Sequence, residues 1–480
     1  MIDPRVASGL RDIPPAVMIP RERMLDRFRA TFCSFGYVPI ETPHIERLEV
    51  LTGKGAGSDE VLRQIFNVTN TGGTPGELGL RFDLTVPLAR FVGKHVNEIG
   101  IPFKRYAIGS VFRGERPAKG RFREFVQCDF DIVGTTSPIA DAEIIQVIHG
   151  ALSAAEVPPF TIAVNDLTVL SSFFGKVGIA DQASVLRSID KLAKIGREGV
   201  LKELLGKSKV DDEAKPPIVD EMQAREVLDF IEEGRSLASH SEVLNFVDKK
   251  LGKPTDLDQV SHLQRMGTET TRSNLLLEKA SSYLEKLLEL LTAGGVPESS
   301  VKVDLGLARG LDYYTGIVFE TTVDGSEAFG SICSGGRYND LASLFTNRRL
   351  PGVGASIGLD RLIALMEEKG LLGKTTTTAK VLVANFPGTE SKIAVDLGSR
   401  LRRAGISADV FPDPDPVGKQ MGYGSARGHR LGVIVGPDEA AKQVFNLRNL
   451  ATRQEEKAIP WSDLEAAVGR ALAGLEGGAR

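Results

Sequence analysis

Cysteine is nearly missing from this chain, with three in 480 residues. Cys33, Cys128 and Cys333 are odd in number, far apart and form no CxxC pair. Neither a disulfide framework nor a cysteine-built zinc site is expected, and a reducing compartment fits better. The six histidines contain no HxxxH pair, so no transition-metal site is expected either. Long apolar runs are absent too. Nothing approaches the roughly 20 residues a membrane helix needs. Met1 to Pro20 carries four prolines and several charges where a secretory signal has an apolar core. The expectation is a soluble, cytoplasmic protein with no membrane partner. An excess of positive charge is also lacking, since the net charge is −4. That argues against a protein held on nucleic acid by charge alone. It leaves room for a basic face: from residue 379 onward there are 14 Lys and Arg against 12 Asp and Glu.

What is present is ordinary in bulk. Hydrophobic residues make up 42% and charged residues 25%, as in a soluble globular protein. At about 150 residues per domain the length suggests roughly three folding units. From Pro20 to Cys33, Met24, Leu25, Phe28 and Phe32 recur at helical spacing. Tyr37 to Ile40 reads as a strand leading to Pro43. Between Gly79 and Gly134 the pattern alternates, in Leu80 to Asp83, Tyr106 to Gly109 and Phe125 to Val133, with a Gly- and Pro-bearing break at Arg113 to Gly120 that predicts an antiparallel hairpin. Residues 171–291 read as helices. Leu186, Ile189, Leu192 and Ile195 have helical spacing, as do Leu276, Ala280, Tyr283, Leu287 and Leu290, and Lys207 to Pro217 is a polar connector. Strands resume at Val301 to Leu305 and Gly316 to Val323, and a helix begins near Leu359. Beyond the threonine joint Thr375 to Thr378, strands at Val381, Ala408 and Leu431 alternate with helices at Ser391 to Ala404 and near Lys419. That alternation marks a small α/β domain.

Three stretches carry chemistry. Arg113 to Arg123 holds five basic residues with Glu115 and two glycines. Arginines in such a loop can grip phosphate oxygens, and Phe125 can stack on a base. Just beyond, Gln127, Asp129 and Asp131 alternate on one strand face and offer acceptors to an amine or an imidazole. A solvated charged hairpin fits the spacing equally well. Arg309 to Gly316 places one Arg and two Tyr near glycines, suited to a small planar ligand; a turn with core tyrosines is the alternative. Gly352, Gly354 and Gly358 clear one strand face ahead of Arg361. That face takes either a flat ligand or close packing.

Together these stretches resemble the class II aminoacyl-tRNA synthetases. Val111 to Asp131 is similar to their motif two, Gly352 to Arg361 to motif three, and Tyr37 to Pro43 to motif one, whose proline sits at the dimer interface. Arg309 to Gly316, with Gly335-Gly-Arg-Tyr338, resembles two signatures of histidyl-tRNA synthetases. The tail resembles the anticodon-binding domain of several class II members. The resemblance implies an α+β catalytic domain over residues 1–374, its antiparallel sheet flanked by helices, with a helical insertion at 171–291. An α/β anticodon-binding domain follows at 379–480. It also implies ligation of L-histidine to tRNA(His) through a histidyl-adenylate, by a homodimer with ATP as substrate and Mg²⁺ as its companion ion. The helix Pro20 to Cys33 and the strand ending at Pro43 are then expected between chains.

Residue roles follow from the same match. Arg113 and Arg309 correspond to the catalytic arginines at the α-phosphate, both also in contact with histidine. Glu115, Arg121, Phe125 and Arg361 correspond to further ATP contacts. Asp83, Leu84, Thr85 and Gln127 correspond to the pocket for the amino group. Asp131 and Tyr314 correspond to partners of the imidazole, with Tyr313 beside them. Many bacterial members have Glu at the positions of Asp83 and Asp131, and an aromatic at that of Ala355. Adenylate formation brings a carboxylate onto a phosphorus atom, two anions whose repulsion cations must offset. No general base is needed, because the carboxylate is ionised at neutral pH. A regulatory paralogue, which binds histidine as a subunit of ATP phosphoribosyltransferase, is the competing reading. That group lacks the anticodon domain and parts of the ATP site.

Overall fold

The computed structural model describes residues 2–53, 63–69, 76–118, 120–207, 216–252, 280–309, 314–339, 341–388 and 390–477. Tyr313, Lys119, Leu276 and most of the connector 207–217 lie outside the described residues. Two compact units are formed, residues 1–11 with 26–366 and residues 12–25 with 367–480.

The strands of the first unit are β1 (Val38–Pro39), β2 (Ile45–Arg47), β3 (Asn67–Val68), β4 (Leu78–Leu80), β5 (Phe103–Phe112), β6 (Glu124–Val133), β7 (Phe160–Asp166), β8 (Val301–Val303), β9 (Ile317–Val323), β10 (Cys333–Tyr338) and β11 (Gly352–Gly358). Eight of them make one sheet, ordered β1-β5-β6-β11-β10-β9-β7-β8. It is antiparallel except at its edges, where β1 runs parallel to β5 and β8 parallel to β7. The strands β2, β4 and β3 form a small second sheet.

Strand alternation divides the large sheet into an apolar and a polar face. Tyr106 on β5 pairs with Phe130 on β6, and Phe32 of the helix Pro15–Ser34 packs on both, at ring-centroid distances of 5.3 and 5.0 Å. Met24, Leu25, Phe28 and Phe32 are all buried within the single chain. That stripe is therefore covered without a partner chain. The helix Pro138–Ala154, started by Ser137 accepting from the Ile139 N–H with Pro138 at its first position, buries Ile144, Ile145, Ile148 and Leu152. The helix Ser282–Ala293 lies against it, and the Tyr283 hydroxyl donates to Asp141. Arg337 of β10 reaches the same carboxylate at 2.6 Å, with both side chains buried.

The helical reading of residues 171–291 meets two breaks. The helices Gln182–Ile189 and Leu192–Leu204 are separate, and Gly196 sits at φ +67° inside the second. Leu186, Ile189 and Leu192 are buried as the spacing predicts, but Ile195, next to the kink, is exposed. Leu80 to Asp83 also departs from its alternating pattern. β4 ends at Leu80, and Asp83 turns its carboxylate onto the Val86 N–H at 3.1 Å to open the helix Thr85–His95.

The second unit has β12 (Val381–Val383), β13 (Ala408–Val410), β14 (Leu431–Ile434), β15 (Val444–Asn449) and β16 (Glu455–Pro460) in the order β13-β12-β14-β15-β16. The first three are parallel and β15 and β16 antiparallel. Val381, Val383, Leu397, Leu401, Val433, Phe445 and Val468 share its core.

Candidate active site

The polar face of the large sheet is the floor of the site. Arg105 pairs across β5 and β6 with Asp131, and Asp131 across β6 and β11 with Gly354. Arg105 is fully buried and holds Asp131 at 2.7 Å. The Tyr338 hydroxyl donates to Asp131 at 2.8 Å. A Cβ at Gly354 would collide with the Asp131 carboxylate, and one at Gly336 would lie 2.9 Å from the Tyr314 ring. The glycines of β10 and β11 therefore make room for the groups of the pocket, which no side chain there would allow.

Three carboxylates, Asp83, Asp129 and Asp131, are buried in this region. Burial pushes Asp83 up to about 6, against the Val86 N–H, Arg113 and Arg105, which pull it down. Burial pushes Asp129 up to about 7, with Arg105 opposing and Asp131 adding to the rise. Asp131 is likewise raised by burial, with Arg105 and the Tyr338 hydroxyl opposing.

A cleft of about 290 Å³ adjoins them. Arg113, Glu115, Arg121, Phe125, Gln127, Arg309 and Arg361 all line it. Arg113 donates to the Phe82 carbonyl at 3.0 Å and lies 5.2 Å over the Phe125 ring. Arg309 pairs with Glu320 at 2.9 Å, while Arg361 is tied to the Ser331 carbonyl. Arg361 is held below its ordinary value by burial, then by the like charges of Arg121 and Arg309. Cations that repel one another across a concave surface form a receptor for a polyanion.

A strap from the N-terminal segment packs against residues that border this cleft. Arg123 of the hairpin loop donates its backbone N–H to the Gly9 carbonyl at 2.9 Å and its side chain to the Ser8 carbonyl at 3.1 Å. Gly9, at φ +83°, lies so close that a Cβ would sit 2.7 Å from Arg123. Arg11 stacks 3.8 Å over Phe122 and reaches Asp360 at 2.5 Å. The other oxygen of Asp360 accepts from the Val126 N–H at 2.6 Å. Phe122 and Asp360 both line the cleft.

A sequence model of histidyl-tRNA synthetase matches residues 9–362, and one of an anticodon binding domain matches residues 380–470. A histidine–tRNA ligase of Rhodopirellula baltica is 42% identical over 460 residues, 95% of each chain. The chain belongs to the histidyl-tRNA synthetase family. The crystal structure of histidyl-tRNA synthetase from Nostoc sp. PCC 7120 aligns with a TM-score of 0.81 at 33% identity, over 98% of this chain and 100% of that one. A Bacillus halodurans protein, titled an ATP phosphoribosyltransferase regulatory subunit/histidyl-tRNA synthetase, shares the fold. It aligns with a TM-score of 0.67 at 20% identity, over 88% of this chain and 97% of that one.

The residues singled out in the sequence fall on one sheet face and its borders. Arg113, Glu115, Arg121, Phe125, Gln127, Arg309 and Arg361 share the cleft, and Asp83, Asp131 and Tyr314 gather around Arg105 and Tyr338. Thr85 opens the adjoining helix. Leu84 differs: its side chain packs with Ala107 and Val111, and only its carbonyl, 3.4 Å from Arg105, faces the site. Tyr313 falls outside the described residues. The sequence reading passed over Arg105, Glu320, Ser356 and Arg11. Arg105 and Ser356 stand in register with Asp131 and Asp129 on neighbouring strands, a relation visible only once the strand pairing is known. Ala355 pairs with Phe130 and points away from the site.

Proposed function

We propose that this chain activates L-histidine with ATP and transfers it to tRNA(His). The observation that carries the reading is the union, on one sheet face, of a buried carboxylate cluster with a cleft lined by Arg113, Arg121, Arg309 and Arg361. The carboxylates suit an ammonium and an imidazole, and the arginines a triphosphate. In this reading Phe125 carries the adenine and Arg361 the far end of the triphosphate. Arg113 and Arg309 flank the α-phosphate and offset the repulsion between it and the incoming carboxylate. Arg309 and Glu320 hold each other in place until substrate arrives. Asp131 accepts from the imidazole N–H and Tyr314 satisfies the other ring nitrogen.

Among the described residues no group of three or more His, Cys, Asp or Glu is placed to hold a metal ion. Mg²⁺ that arrives with ATP asks for less, one or two carboxylates beside phosphate oxygens. Glu115, 4.0 and 3.9 Å from Arg113 and Arg121, and Glu320 would supply them, and the ion would draw charge from the phosphates. The second unit fits tRNA binding, supported by the anticodon-binding match. A homodimer is supported by exposed apolar side chains near the motif-one segment, namely Val38, Ile45 and Leu78. Three cysteines, none in a disulfide, suit the cytoplasm, where its substrates are.

Histidine-dependent exchange of pyrophosphate into ATP tests the reading. A catalyst gives exchange with histidine alone among the amino acids. A histidine-binding regulator gives none, and that result removes the proposal.

A further inference from the structure

Asp129 stands on β6 two residues from Gln127 and two from Asp131, so the three side chains leave the same face of the sheet. Its neighbour across β11 is Ser356. The Gln127 Nε2 donates to the Ser356 Oγ at 2.9 Å. The one hydroxyl proton of Ser356 is then left for Asp129, whose bond to Ser356 helps to hold it ionised. This short relay fixes the direction of the Gln127 amide, because its nitrogen is engaged and its oxygen is turned the other way. Two acceptors remain: Oε1 of Gln127 and Oδ1 of Asp129 are both buried and have no hydrogen-bond partner. Asp129 is only 2% exposed.

Buried acceptors are nearly always satisfied, so two bare ones on a single strand face call for a donor from elsewhere. Local charge says what kind. Asp83, Asp129 and Asp131 are buried near one another, and the fully buried cation among them, Arg105, holds Asp131 and makes no hydrogen bond to the Asp129 Oδ1, its own Nε and Nη1 being without a partner as well. Gln127 and Ser356 line the cleft, and Asp129 stands beside both on the same sheet face. A compact cation with several N–H donors meets both needs at once. An α-ammonium group is such a cation.

We propose that Asp129 is a further substrate-binding residue, which together with the Gln127 Oε1 accepts hydrogen bonds from the α-ammonium group of the amino acid. This rests on the reading of the cleft as a histidine site. It adds a residue that the match to the family's motifs does not assign. The ammonium brings the charge that the three carboxylates lack, and Asp129 distinguishes an amino acid from its deaminated analogue.

Calorimetric titration of the full chain with three ligands tests this. L-Histidine and histidinol carry the ammonium, and imidazole-4-propionate lacks it. Asp129→Asn keeps the shape and removes the charge; Asp129→Ser repeats the test with a smaller side chain in case Asn disturbs packing. Loss of a charge-assisted hydrogen bond should weaken histidine and histidinol by roughly 10- to 100-fold. Imidazole-4-propionate and a non-hydrolysable ATP analogue should bind as before. Equal weakening of all three imidazole ligands would make Asp129 a wall of the pocket and overturn the proposal, as would unchanged histidine affinity in both variants. A wild-type chain that takes ATP but neither histidine nor histidinol overturns the histidine site itself, and this proposal with it.

Discussion

Arg309 keeps its charge partly exposed and facing Glu320 at 2.9 Å, with Asp190 from the helical segment also within its field. Such a guanidinium is held ready for a stronger anion. Arg309→Ala should slow single-turnover adenylate formation by about 10²–10³-fold, the usual cost of removing one preorganised donor. Arg309→Lys should recover part of that, having the charge without the planar fork. Melting curves on the same samples should stay close to wild type; a large drop would mean that Arg309 serves as a brace. The carboxylates add a pH dependence. Asp83 near 6 and Asp129 near 7 take up protons as the pH falls through that range, so the KM for histidine should rise there while the KM for ATP changes less. The linkage to stability has the opposite sense from an ordinary ion pair. Groups raised in the folded state bind protons that the unfolded chain has already released, so stability is lost as the pH rises from about 4 to 7. Asp129→Asn should accordingly melt higher than wild type at about pH 8 and alike at about pH 4; a lower melting temperature at the higher pH would contradict the assignment. The sequence showed these residue types and their alternation. It could not show that Asp131 is held by Arg105, because that contact depends on the register of β5 against β6.

β11 is a strand shaped by what it omits. Gly354→Ala would push a methyl group into the Asp131 carboxylate, and histidine binding should fall at least tenfold while ATP-analogue binding survives. Equal loss of both ligands would mean that the whole sheet had shifted. The N-terminal strap acts on the other substrate. Arg11→Ala removes the stack on Phe122 and the ion pair with Asp360, and should raise the KM for ATP about tenfold with little change for histidine; steady-state kinetics in both substrates separates the two. Most elements could be read from apolar spacing, but two kinds could not. β16 is exposed at five of its six positions, so neither it nor the hairpin it forms with β15 shows an alternation in the sequence. Ile195 continued a helical rhythm that the backbone breaks at Gly196.

At the scale of the whole molecule, Val38, Ile45 and Leu78 are exposed apolar side chains on short strands, the kind of surface that a second copy covers. Ile45→Asp should shift sedimentation toward a monomer at micromolar concentration. A wild-type chain that is already monomeric would end the dimer reading. Residues 12–25 belong to the same compact unit as 367–480, a pairing across the length of the chain that no local pattern announces. Deleting 379–480 should depress tRNA charging far more than pyrophosphate exchange, and equal loss in a folded protein would contradict the division of labour. The strap bears on laboratory handling as well. Ser8 and Gly9 lend their carbonyls to Arg123 beside the cleft, so a purification tag or fluorescent fusion attached just ahead of them pulls on the nucleotide loop. Material tagged at that end should show weakened ATP affinity until the tag is cut off, whereas a tag after the final helix leaves the loop undisturbed.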